Sequence, residues 1–64
     1  MKYLVHITYS FHKNKVVASA DYQEWGDKPV PKSDRDNNYI LAYSMEDVME
    51  IFDIVRQNND EKEQ

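Results

Sequence analysis

From Lys2 to Phe11 the chain alternates almost without fault. Tyr3, Val5, Ile7, Tyr9 and Phe11 fall on one side; Lys2, Leu4, His6, Thr8 and Ser10 fall on the other. A period of two built from aromatic and β-branched residues predicts a half-buried strand. A second alternating stretch, Lys15 to Glu24, has the opposite parity, with Val16, Ala18, Ala20 and Tyr22 on its apolar side. Between them Lys13-Asn14 is the natural turn, because asparagine tolerates the positive φ of a tight hairpin. That turn sets Phe11 opposite Val16, Tyr9 opposite Ala18, Ile7 opposite Ala20 and Val5 opposite Tyr22. All these pairs are apolar and share one face, and a one-residue slip would destroy the match. The small Ala18 and Ala20 leave a trough in which a helix can approach the sheet.

Trp25 to Asn37 holds the only glycine, both prolines and a run of charge, and reads as a long crossover loop. A third strand is expected over Asn38 to Tyr43, leading straight into a helix. Ser44 is the N-cap, with Asp47 at the third helical position, and Tyr43 and Val48 are placed to form a hydrophobic staple. Glu46 and Asp47 in the first turn and Arg56 near the end suit the helix dipole. The helix is expected from Met45 to about Gln57, ending at Asn58-Asn59. Residues 60–64 contain no apolar side chain and are expected to form a disordered acidic tail beyond a single domain of residues 1–59. The predicted architecture is α+β: a three-stranded antiparallel sheet with one C-terminal helix packed on one face, in the order β-β-β-α.

At 100° per residue, Met45, Val48, Ile51, Phe52 and Val55 share one helix face, with Met49 at its margin and Phe52 expected at the centre of the core. Opposite them Glu46, Glu50 and Asp53 form an acidic ridge interrupted by Ile54. On the sheet's other face, the staple would turn Tyr43, Tyr39 and Leu41 toward the helix. Ile40 and Ala42 would then join Leu4 and Val17 in an exposed apolar patch, a candidate dimer face.

Composition narrows the chemistry. Sixty-four residues make one small domain, and the absence of cysteine excludes disulfides and thiol chemistry. Eight basic against twelve acidic residues give a net charge of −4, which disfavours direct nucleic-acid binding. No apolar run approaches the ~20 residues of a membrane span, and the helix lacks the basic face of a membrane-surface helix. His6 and His12 lie too far apart on one strand, roughly 20 Å, to share a metal. His6 faces Asp21, but no nucleophile or third ligand accompanies the pair, so no catalytic residue, metal site or cofactor is expected. In size, acidity and lack of catalytic motifs the chain resembles the small inhibitors encoded by bacteriophages and mobile elements, which implies occupation of a host protein's surface.

The expected function is therefore that of a non-enzymatic, cytoplasmic protein-binding module whose partner carries a basic surface. Its candidate contact residues are Glu46, Glu50, Asp53 and Ile54 on the helix, with Trp25 and Arg35 in the long loop. Mimicry of a nucleic acid and homodimerisation through the outer sheet face are the alternatives.

Overall fold

In the computed structural model, residues 1–63 are described, with side chains through Asn59. The elements are β1 (Lys2–His12), β2 (Lys15–Trp25), β3 (Asn37–Ala42) and α1 (Met45–Glu63). The three strands form one antiparallel sheet in the order β2-β1-β3, and α1 packs on one face of it. This is the β-β-β-α arrangement expected.

The hairpin register is the one the parity switch demands: Val5 opposes Tyr22, Ile7 opposes Ala20, Tyr9 opposes Ala18 and Phe11 opposes Val16. Lys13 and Asn14 make the turn with φ of 51° and 65°. Two consecutive positive φ values match the right-handed twist of the flanking strands, at a steric cost to the lysine. Replacing Lys13-Asn14 by Asn-Gly is therefore expected to stabilise the protein by about 1 kcal/mol, a rise of roughly 4–8 °C in Tm by calorimetry.

The core is Val5, Ile7, Ala42 and Val48, with Tyr3, Tyr9, Ala18, Ala20, Ile40, Ile51, Phe52 and Val55 packed around it. Val48 is 0% exposed and is the helix residue at the centre. Phe52, expected there, is only half-buried and meets Tyr22 edge-on at 5.8 Å. The alanine trough holds: α1 lies over Ala18 and Ala20. Ser44 caps the helix as expected, its Oγ accepting from the Asp47 N–H at 3.2 Å and its carbonyl from the Val48 N–H at 3.2 Å.

Two expectations about the third strand are overturned. Val5 pairs with Ile40 and Tyr3 with Ala42, so Ile40 and Ala42 face the helix, whereas Tyr39 and Leu41 lie on the outer face with His6 and Leu4. The small Ala42 sits where α1 crosses closely over the sheet, next to Val48. Tyr39 stacks on the His6 ring at 4.6 Å and 7°. The Tyr43–Val48 staple, which fixed the wrong parity, is absent, because Tyr43 is exposed. The proposed dimer patch is also dismantled. Ile40 and Ala42 are on the opposite face, Leu4 is only 2% exposed within the single chain, and Val17 alone remains at the surface. α1 occupies the other face, and on this one Leu4 lies between Gln23 and Leu41 on the sheet, with the crossover loop leaving the end of β2 nearby. That loop starts on this face, where Lys2 Nζ meets Asp27 Oδ1 at 3.2 Å.

The helix also continues past Gln57 to Glu63. Asn59 explains this extension. Its Nδ2 donates to the Ala18 carbonyl at 2.8 Å and its Oδ1 accepts from the Ala18 N–H at 3.1 Å. The carboxamide thereby acts as one residue of a neighbouring strand at the open edge of β2, holding the helix end on the sheet. The acidic tail expected over 60–64 lies outside the residues whose side chains are described.

Candidate functional site

The outward face of α1 begins with what its inward face has used. Val48, Ile51, Phe52, Val55 and Asn59 point to the sheet, which leaves Glu46, Glu50 and Asp53 in solvent on the far side. Exposed apolar side chains flank this ridge on both sides: Met49 at 57% and Ile54 at 52% exposure. Five residues apart, they lie about 140° from one another around the helix, with the three carboxylates in the arc between them. The sequence pattern marked Ile54 but left Met49 at the margin of the core stripe. None of the ridge carboxylates forms an ion pair among the described residues.

Trp25, which the structure places at the end of β2 and not in the loop, and Arg35 do not join this surface, nor each other. Trp25 pairs with Lys2 at one end of β1, while Asp36, next to Arg35, accepts the Tyr9 N–H at 2.9 Å. Those two points on β1 are seven residues apart, roughly 23 Å along an extended chain. Trp25 is also engaged within the chain. Its Nε1–H donates to the Lys28 carbonyl at 3.1 Å, and the Lys28 ammonium lies 4.3 Å over its ring.

His6 and Asp21 do face one another, with Nδ1 3.8 Å from Oδ1, beyond hydrogen-bond range. The other ring nitrogen decides what the histidine does. His6 Nε2 is 2.8 Å from Asn37 Oδ1, and Asn37 Nδ2 donates to Asp34 Oδ1 at 3.2 Å. The aspartate fixes the asparagine amide so that its oxygen faces the ring; Nε2 must therefore carry the hydrogen and donate it. A nitrogen committed in this way cannot accept the proton of the Thr8 hydroxyl, 3.4 Å distant. The cluster is a brace from β1 through β3 to the loop. No group of three or more metal-ligating side chains comes together among the described residues.

Asp34 anchors the loop end of this brace. Its carboxylate accepts from the Asp36 N–H and the Asn37 N–H, each at 2.9 Å, and from the Asn37 side chain. The backbone bond from Asp36 does most to hold this carboxyl below the usual carboxylate range, followed by the Asn37 side chain and the Asn37 backbone. A depressed folded-state value contributes stability that is present above the ordinary range and lost as the pH falls through the folded value. In an NMR titration, the Asp34 carboxyl is expected to titrate below an unstructured aspartate. The Asp36 and Asn37 amide signals should move with it, and this acid step should vanish in Asp34→Ala.

No described helix is long and apolar enough to cross a membrane. Comparison with known proteins finds no matching family model, no similar curated protein and no similar solved structure, so the functional reading rests on the surface chemistry above.

Proposed function

We propose that this chain is a non-enzymatic protein-binding module that occupies a basic surface of its partner through the outward face of α1. The observation that carries this reading is the pair Met49 and Ile54, exposed on either side of the Glu46–Glu50–Asp53 ridge while the opposite face of the helix is committed to the core. Carboxylates steer encounter with a cationic surface, and desolvated apolar anchors set residence. The anchors favour this reading over pure mimicry of a phosphate backbone, which needs charge alone. Binding through anchors loses little affinity with added salt, whereas mimicry loses it steeply.

Immobilised protein tests the proposal in a pull-down from cell lysate. Partners held by the wild type should be absent from the Ile54→Lys and Met49→Lys baits, whose melting curves should match the wild type because both positions are exposed. Retention of the same partners by both variants would remove α1 as the contact surface.

A further inference from the structure

The geometry points to a second docking site at the far end of the molecule: an open groove that takes an acidic peptide segment in extended conformation. The hairpin strands are eleven residues long and β3 only six, so β1 and β2 run on alone beyond Thr8, the last residue of β1 paired with β3. There a groove of about 610 Å³ is lined by Tyr9, Ser10, Phe11, Val16, Arg35 and Asp36. Phe11 is 76% exposed, an unusual position for a phenylalanine with no role in the core.

Three features define the occupant. The first is charge. The first twenty residues contain no carboxylate, and Lys13 and Lys15 stand exposed at the hairpin turn just past Phe11, neither in an ion pair among the described residues, while Arg35 lines the groove. Among the described residues the nearby acids are engaged: Asp34 accepts from three N–H donors, and Asp36 pairs with Arg35 at 3.3 Å, so that pair adds no net charge and the turn lysines set the sign. The second is the backbone. The Tyr9 N–H points toward β3, where it meets the Asp36 carbonyl, and Phe11, two residues on, repeats that orientation past the end of β3. Asp34 ends the strand there by drawing the Asp36 and Asn37 N–H groups to its carboxylate. The N–H and C=O of Phe11 thus form an open stretch of sheet edge that a peptide strand can extend. The third is the apolar floor of Tyr9, Phe11 and Val16, which suits alternating side chains of such a strand. A single-stranded nucleic acid would use the cations and the aromatic ring but not the backbone edge, and it would meet a chain of net charge −4. This site does not involve the outward Glu46–Glu50–Asp53 face of α1.

Selection of a displayed library of random peptides of about eight residues against the whole protein tests the inference. Asp or Glu interspersed with aliphatic or aromatic residues should be enriched. A synthetic peptide of that sequence, titrated into isotope-labelled protein, should move the amide signals of Phe11, Val16, Arg35 and Asp36. Phe11→Ser, with an unchanged melting curve, and Arg35→Glu should each weaken binding about tenfold or more. The inference is overturned if nothing is enriched, if the enriched peptides are neutral or basic, or if the shifts map to the outward face of α1 around Glu50 and Ile54. Unchanged binding by Phe11→Ser, or tighter binding of a single-stranded oligothymidylate than of the peptide, would overturn it as well.

Discussion

Val48→Asp is expected to leave no cooperatively folded protein at 25 °C, while Ile54→Asp, six residues along the same helix, melts like the wild type. Val48 is 0% exposed and packs with Val5, Ile7 and Ala42, and no polar side chain is buried among the described residues to receive a carboxylate. An uncompensated buried charge costs several kcal/mol. A domain of 64 residues has a total stability of only about 3–10 kcal/mol. The same substitution at Ile54 places one more carboxylate on a surface that already carries them. Thermal melts followed by circular dichroism compare the two. A wild-type melt for Val48→Asp would mean that the helix presents a different face to the sheet.

The second large effect is expected at Asn59. One side chain satisfies both backbone groups of Ala18, and Ala18 lies on an edge strand. Asn59→Leu removes both bonds and leaves a donor and an acceptor without protein partners, at a cost of about 1–3 kcal/mol. For a domain of this size that lowers Tm by roughly 4–8 °C per kcal/mol. The variant should also aggregate more readily, since the carboxamide blocks the open β2 edge at Ala18, near the start of the strand. Hydrogen exchange localises the change: the Ala18 amide and the last turns of α1 should lose protection while Val5 and Ile7 keep theirs. Equal protection at Ala18 in both proteins would contradict the assigned role.

These two positions also show what the sequence makes legible. The hairpin could be read to the residue because its two strands alternate strictly and change parity across Lys13-Asn14, which leaves one register with matched faces. The helix face was legible for the same reason, with the error confined to which residue sits deepest. Val48 lies over the sheet where Ala42 gives room, and Phe52 reaches its edge beside Tyr22. Parity in β3 was not legible, because Tyr39, Ile40 and Leu41 are apolar in succession. On one face the strand meets α1, and on the other Tyr39 and Leu41 sit beside the His6 ring and Leu4 of β1, so apolar residues serve both. The helix end was missed because asparagine is a poor helix former, and the bond that overrides this joins residues 41 positions apart. Of the contact residues inferred from pattern, Glu46, Glu50, Asp53 and Ile54 do share a surface. Trp25 and Arg35 do not, since composition marks a loop without saying how far its ends lie apart. Met49 could have been added by noting that it and Ile54 bracket the acidic arc.

The most direct test of the outward α1 face as the contact surface is an amide shift map of the isotope-labelled protein saturated with a partner recovered by pull-down. The expected result is that the largest perturbations fall on Glu46, Met49, Glu50, Asp53 and Ile54, with the β2 edge and the crossover loop unmoved. Perturbations centred on the loop around Trp25, or on the outer sheet face around Val17, with the α1 signals unmoved, would contradict it.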